Sequence, residues 1–392
     1  MSDVDVDGLV KQLLADVPPD SNDAATFLGA QFDAGLAWVH LPQGLGGLGL
    51  PRSTQGVVDE ALMAAGAPRS FNTNPIGYGM AAPTLRAYAT EADLARFLRP
   101  IFTGEQIWCQ MFSEPGAGSD VASLSTSAVR DGDEWVLNGQ KVWTSLAHVA
   151  SWGLIVARTD PSKPKHAGLT YFFLDMQSAG VDVRPLRQAT GDAEFNEVYL
   201  TDVRIPDTQR LGAVGEGWKV AITTLMNERV SIGGRVNPRG EGSIADAVRV
   251  FRENGRPPEY ADRLMQLWVR AEALRLTNIR AREQAKAGAD AGPEGSTAKL
   301  GDAELNQDIY DFCVDVSGAD GLLFPMTYTP PEGQRTRSRT GRDHRYSYLR
   351  SMANTIEGGT SEVMRNILAE RVLGLPPEPR VDKDMPYSAS PR

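Results

Sequence analysis

Residues 109–120 read Cys-Gln-Met-Phe-Ser-Glu-Pro-Gly-Ala-Gly-Ser-Asp, and residues 138–145 read Asn-Gly-Gln-Lys-Val-Trp-Thr-Ser. The first joins an extended apolar run to a Pro-Gly turn and then to small polar residues. The second adds an indole and two hydroxyls. Gly lets backbone approach a ligand closely. Together the two segments can press N–H groups, hydroxyls and an aromatic ring against a flat ligand with a polar edge. Other chemistries lack their residues. Gly116-Ala117-Gly118 does not sit between a strand and a helix, as a dinucleotide fingerprint requires. No phosphate loop or metal-ligand spacing is present. His40, His148, His166 and His344 stand apart, so each is read as structural or solvated and no metal site is expected.

The elements around these segments separate by period. Over residues 1–104 apolar residues recur at helical spacing, as in Glu91-Ala92-Asp93-Leu94-Ala95-Arg96-Phe97-Leu98. Over 105–212 the period falls to two. Runs at 106–112, 121–130, 134–144, 151–158, 169–175, 181–186 and 197–205 read as strands. Asn138-Gly139 is the expected hairpin turn. Short strands without intervening helices imply an antiparallel sandwich or barrel. Over 213–376 helical spacing returns, at 218–233, 258–287, 296–316 and 360–373. A Gly/Ala/Asp linker at 285–295 and a polar loop at 327–344 interrupt it, and residues 377–392 read as an extended, Pro-rich tail. The fold class is therefore α+β and multidomain: a helical domain, a β domain and a second helical domain.

At 392 residues the chain exceeds one small domain. A net charge of −10 disfavours nucleic acid and anionic membrane as partners. Cys109 and Cys313 are the only cysteines, which suits a reducing compartment better than a disulfide framework. No run approaches the ~18 apolar residues of a membrane span. The expectation is a cytoplasmic protein.

The two opening segments resemble the flavin-contacting signature of the acyl-CoA dehydrogenase family. Residues 195–206, Phe-Asn-Glu-Val-Tyr-Leu-Thr-Asp-Val-Arg-Ile-Pro, and Gly215-Glu216-Gly217-Trp218 are similar to that family as well. The resemblance implies a C-terminal four-helix bundle and FAD as cofactor. It implies that Gln110, Phe112 and Ser113 lie along the flavin ring, with Gly118 and Ser119 near the ring and pyrophosphate. It also implies that Trp143 and Ser145 cover the flavin near N5, and that Ser119 touches substrate. The implied reaction is α,β-dehydrogenation of an acyl-CoA thioester. A carboxylate takes the α-proton, and hydride passes from the β-carbon to flavin N5.

Two glutamates compete as base. In the family's common C-terminal pattern the catalytic Glu directly precedes Gly-Thr. Here that slot holds Gly358, and Glu357 falls one residue early, about 3.8 Å of chain. The N–H of Gly358 still suits an enolate donor. Glu228, in Leu225-Met226-Asn227-Glu228-Arg229, resembles the helix-borne base of isovaleryl- and long-chain-type members. Glu228 is the expected base and Glu357 the alternative. Arg229 is expected to support the substrate pocket.

The family's adenine-end segments are not legible. Arg-x-Thr-Phe-Gly is absent near residues 251–258. Asp315-Val316-Ser317-Gly318-Ala319-Asp320-Gly321 stands where Gln-x-x-Gly-Gly-x-Gly is usual. This suggests either a homo-oligomer with drifted contacts or an α2β2 hetero-oligomer with a second chain of the family. The latter arrangement resembles steroid side-chain acyl-CoA dehydrogenases of actinobacteria. An electron-transfer flavoprotein is the expected electron acceptor. The alternatives are a flavin-poor, non-catalytic partner subunit and a flavin oxidase on the same fold.

Overall fold

The computed structural model describes residues 4–232, 236–286, 294–324, 343–379 and 381–390, and the side chains of 228–232, 285–286 and 294 lie outside that description. Most of the expected linker at 285–295 and loop at 327–344 therefore falls outside the described residues. The chain divides into two compact units. One holds Met1–Leu186, Glu194–Asn227 and Val381–Arg392, and the other holds Arg187–Ala193 and Glu228–Arg380.

The first unit begins with α1 (Val6–Asp16), α2 (Ala24–Asp33), α3 (Gln55–Ala64), α4 (Ser70–Thr73), α5 (Ala82–Tyr88) and α6 (Glu91–Thr103). Their ends are chemically marked. Asp5 and Asp23 accept from the N–H groups of Gly8 and Thr26 at 2.9 and 3.0 Å. Thr90 and Asp93 form a reciprocal capping box, and Gly104 ends α6 at φ 80°. On α6, Phe97, Leu98, Ile101 and Phe102 are buried, which is the one-face spacing of a packed helix.

Eight strands follow: β1 (Trp108–Met111), β2 (Ser127–Asp131), β3 (Glu134–Lys141), β4 (Trp152–Arg158), β5 (Leu169–Asp175), β6 (Val181–Leu186), β7 (Phe195–Pro206) and β8 (Arg210–Leu211). Their order is β6-β7-β3-β2-β4-β5-β8, with β1 also beside β4. Pairing is antiparallel except for β1 along β4 and one parallel contact of β2 with β4. β4 is buried at every residue and β5 at all but its last. Leu154, Val156, Tyr171 and Phe173 share a core with Leu28, Leu85, Phe97 and Ile101 of the helices. Their neighbours Ile155, Ala157, Phe172 and Leu174 join Leu137, Val198, Leu200 and Val203 inside the sheet. Strand alternation here divides two cores rather than core from water. Phe97 meets Trp108, Trp152 and Phe173 edge-on at 5.3, 5.0 and 5.4 Å, which ties helix to sheet.

Two sequence expectations shift. The hairpin turn is Gly132-Asp133, with Asp131 paired to Glu134, and Asn138-Gly139 lies inside β3. Gly132 takes φ 62°. Asn138 instead exchanges hydrogen bonds with Asp202, at 3.0 Å to its carboxylate and 2.9 Å from its N–H, where the register with β7 slips. Gly139 admits Thr126, whose Oγ1 would lie 2.3 Å from an added Cβ. The run at 121–130 yields only β2, because Val121–Ser123 forms a 3-10 turn.

The helix α7 (Gly217–Ile232) opens the C-terminal helical region. The second unit contains α8 (Ser243–Glu253), α9 (Ala261–Lys286), α10 (Glu294–Val316), α11 (His344–Ser351) and α12 (Ser361–Arg371). Its core gathers Ile309, Phe312, Cys313 and Val316 of α10 with Ile244, Ala247 and Val250 of α8 and Leu264 and Leu267 of α9. No helix among the described residues is long and apolar enough to cross a membrane.

Candidate active site

β1 hands the chain to the Ser113–Asp120 loop, and a buried ion pair fixes its start. Glu114 and Ala117 exchange backbone hydrogen bonds, both 3.0 Å, around Pro115-Gly116. The Glu114 carboxylate accepts from the N–H of Ser125 (2.6 Å), its hydroxyl (2.8 Å) and the N–H of Thr126 (2.9 Å). Lys141 is fully buried at the end of β3. Its ammonium donates to Glu114 (2.8 Å), Phe112 O (3.2 Å) and Val156 O (2.9 Å), so all three N–H bonds have acceptors. Burial pushes the Glu114 carboxyl upward. Lys141, Thr126 and Ser125 outweigh it and pull the group down to about 2.

The second segment leaves β3 alongside the first. Val142 donates to Ser113 O at 2.9 Å. Thr144 and Asn196 exchange backbone bonds at 3.0 and 3.1 Å, and the buried Asn196 amide donates to Thr144 O at 2.9 Å. Leu146 donates to Glu194 O at 2.9 Å. Between these pins Trp143 sits at φ 59°, 61% exposed, with its ring edge-on to Phe195 at 6.0 Å. A bulky residue held in the left-handed region carries backbone strain. We predict that Trp143→Gly leaves the melting temperature unchanged or raised. Relief of about 1–2 kcal/mol of strain offsets a ring contact worth roughly 0.5–1.5 kcal/mol. Flavin affinity should fall about tenfold in the same variant. Calorimetry and flavin titration check the pair, and a chain that loses stability but binds flavin normally contradicts it.

The remaining signature residues differ in how far the fold engages them. Among the described hydrogen bonds, none uses the hydroxyls of Ser113, Ser119 or Ser145 or the N–H of Gly118. Side chains added at Gly116 or Gly118 would meet nothing within 4 Å. Gln110 is half-buried in β1. The Phe112 ring lies in the core, 5.8 Å from Tyr171 and edge-on, and its carbonyl is taken by Lys141.

In the first unit, α7 is anchored by hydroxyls. Thr224 Oγ1 lies 2.9 Å from both Thr84 Oγ1 and Tyr171 OH and donates to Val220 O at 3.2 Å. Burial drives the Tyr171 hydroxyl well above its ordinary pKa, so it stays a donor. Thr224→Val should cost about 1–3 kcal/mol, because it strands two buried hydroxyls. Adding Tyr171→Phe should return part of that loss, and urea denaturation of the single and double variants measures it. Glu228 and Arg229 follow in the next turn of α7. Their backbone is helical, and their side chains lie outside the described residues.

In the second unit, the Glu357 carboxylate is engaged. Arg350 donates to its two oxygens at 3.1 and 2.8 Å, and Asn354 adds a third bond at 2.9 Å. Gly358 and Gly359 follow at φ 64° and 92°. Thr360 then caps α12 by accepting from the Val363 N–H at 3.1 Å. No hydrogen bond of the Gly358 N–H is among those described.

Sequence reasoning missed Glu114, Lys141, Asn196 and Thr224. Glu114, Lys141 and Asn196 lie within the family-like segments, yet none was assigned a role. Lys141 carried a subtler signal, since it holds an inward position of the alternation with Trp135 and Leu137.

The sequence matches the family descriptions "Acyl-CoA dehydrogenase, N-terminal domain" over residues 16–105, "middle domain" over 109–203 and "C-terminal domain" over 215–373. Acyl-CoA dehydrogenase FadE34 of Mycobacterium tuberculosis is 40% identical across 88% of this chain, which spans 45% of that protein's length. Acyl-CoA dehydrogenase IpdE1 of the same organism is 37% identical across 88% of this chain and 86% of its own. The solved Tcur3481-Tcur3483 steroid ACAD superposes with a TM-score of 0.71 at 27% identity, covering 95% of this chain and 97% of that one. With all three family domains matched in chain order and relatives 37–40% identical across 88% of its length, this chain belongs to the acyl-CoA dehydrogenase family.

Proposed function

We propose that this chain works as an FAD-dependent acyl-CoA dehydrogenase on a bulky CoA ester of the steroid side-chain class. We further propose that it acts in the cytoplasm, within a hetero-oligomer, and passes electrons to an electron-transfer flavoprotein. One observation carries the reading: a solvent-facing Trp143 at φ 59°, in a segment tied to Ser113 through Val142, where no described hydrogen bond uses the hydroxyls of Ser113 and Ser145. This donor set fits a flat ring with carbonyl and nitrogen acceptors along its edge. Bound FAD supplies the two-electron acceptor.

The chain's own residues do the rest. Ser113 and Ser145 would hold the ring's polar edge, with Gln110 of β1 and the Phe112 backbone beside it. Gly118 and Ser119 serve the ring, the pyrophosphate and the substrate side, and Trp143 excludes water from one face. Glu228 takes the α-proton, with Arg229 supporting the pocket around it. The Gly358 N–H offers a donor for charge developing on the thioester oxygen, a large electrostatic contribution.

A second chain is invoked because the expected adenine-end segment is engaged within its own unit. Asp315 pairs with Arg263 at 2.6 Å. Ser317 donates to Cys313 O at 2.8 Å and lies 3.0 Å from His344 Nε2. A Cβ at Gly321 would fall 2.4 Å from Val314 O. The steroid class and the two-component assembly are suggested by the Tcur3481-Tcur3483 relative, whose name joins two components.

The test is expression alone and together with a family chain encoded beside it, followed by flavin quantitation and a panel of CoA esters. Expected are little flavin alone, one flavin per two chains in the complex, and oxidation of steroid-type esters. One flavin per protomer in the lone protein defeats the hetero-oligomer. A flavin-free complex defeats the dehydrogenase.

A further inference from the structure

Residues read from composition as an extended tail fold back onto the first unit, with which Val381–Arg392 clusters. Pro386 bridges to Pro164. The N–H groups of Tyr387 and Ser388 donate to Lys163 O and Pro161 O at 2.9 and 3.0 Å.

Two further contacts reach the loop that follows Ser119. Lys165 Nζ lies between two carboxylates, 2.6 Å from Asp120 and 2.7 Å from Asp382. Arg158, 4% exposed, donates to Leu124 O at 3.1 Å and Ala122 O at 2.6 Å. The Tyr387 ring covers its guanidinium at 3.5 Å, and the Tyr387 hydroxyl donates to Ser123 O at 3.3 Å. A desolvated guanidinium on an aromatic face is a favourable pairing. Three successive carbonyls, Ala122 to Leu124, are therefore held by one Arg–Tyr assembly. The carboxylate next to Ser119 is held by the Lys165 bridge.

We infer that residues 381–390 form a clasp that positions the Gly118–Leu124 loop, with Tyr387, Asp382, Lys165 and Arg158 as positioning residues for the ligand face carried by Gly118 and Ser119. That ligand face rests on the functional reading above, whereas the clasp rests on the contacts just given. The loop needs such support. Gly116 and Gly118 contribute no side-chain packing, and Gly loses the most backbone freedom on ordering. Order supplied in advance by the clasp is order the ligand does not have to impose.

Three variants of the full chain, with its partner where the two co-purify, test this: Tyr387→Ala, Tyr387→Phe and Asp382→Asn. The readouts are hydrogen exchange across residues 114–126 and a flavin titration. Tyr387→Ala should speed exchange there about tenfold, leave β3 and β7 unchanged and weaken flavin binding several-fold. Tyr387→Phe keeps the ring on Arg158 and loses only the 3.3 Å bond to Ser123 O, so it should lie much closer to the parent than to Tyr387→Ala in both readouts. Asp382→Asn should show a smaller version of the Tyr387→Ala result, and it carries the test if Tyr387→Ala fails to fold. Unchanged exchange in Tyr387→Ala and Asp382→Asn overturns the clasp. Faster exchange with unaltered flavin affinity overturns the positioning role, and Tyr387→Phe behaving like Tyr387→Ala overturns the ring contact. If the parent complex binds no flavin, the functional reading fails and the exchange data still decide the clasp.

Discussion

Replacing Lys141 with Met is expected to remove roughly 3–5 kcal/mol of stability, the usual cost of leaving one partner of a buried ion pair uncompensated. Domains of this kind carry only about 5–15 kcal/mol in total, so the variant should be poorly soluble or melt far below the parent. The reason is local. Glu114 is buried, and Lys141 is the cation in direct contact with it among the described ion pairs, while Ser125 and Thr126 donate neutral bonds. The same ammonium also holds the carbonyls of Phe112 and Val156. Adding Glu114→Gln removes the stranded charge and should return part of the loss. Acid tests the same pair from the other side. Glu114 ionises at about 2 in the folded chain, below its ordinary 4.5, so its contribution is fully present above the ordinary value and is lost as pH falls toward 2. Urea denaturation between pH 7 and pH 3 should show a falling acid limb that Glu114→Gln flattens. An unflattened limb would place the acid sensitivity elsewhere.

What the sequence disclosed and withheld follows from the range of each interaction. Helix starts are local, and Asp5, Asp23 and Thr90 announce theirs within three residues. Strand alternation is local as well, so β4 and β5 were legible, although alternation could not say that both faces would be covered. Turn choice was not legible. Gly132-Asp133 and Asn138-Gly139 are both good turn dipeptides, and the cross-strand register between β2, β3 and β7 decides between them. The ligand-facing loop was readable because its chemistry is contiguous in the chain. Its supports were not. Glu114 reads as a solvated turn residue until Lys141 is folded beneath it. Thr224 reads as an ordinary helical residue until Thr84 and Tyr171 arrive from distant elements. Tyr387 sits in a Pro-rich stretch whose composition carries no hint of Arg158. Each support pairs a plain residue with a partner remote in sequence, which no local pattern records.

In the assembled enzyme, Glu228→Gln is expected to lower the rate of substrate-driven flavin reduction by roughly 10²–10⁴-fold, the scale of a removed general base. Glu357→Gln should stay within a few fold of the parent. The expected asymmetry rests on what the Glu357 carboxylate is already doing. Glu357 has Arg350 across both oxygens and Asn354 on one of them, an arrangement that suits a strut between α11 and the Gly358-Gly359 turn. A base has to present a free lone pair to a weakly acidic C–H, and breaking a bidentate Arg contact first would add to the barrier. Gln at 357 can still accept from Arg350, so its effect should be a modest loss of stability. Glu228 follows Thr224 by one turn of α7. Gln at 228 is nearly isosteric and cannot take a proton, so flavin content and melting temperature should match the parent while reduction stalls. Anaerobic stopped-flow at the flavin absorbance, with flavin content measured beside it, separates the cases. A Glu228→Gln enzyme that bleaches at the parental rate removes Glu228 from the mechanism. A Glu357→Gln enzyme that stalls with its flavin still bound moves the base to Glu357, and Arg350 would then have to release that carboxylate when substrate arrives.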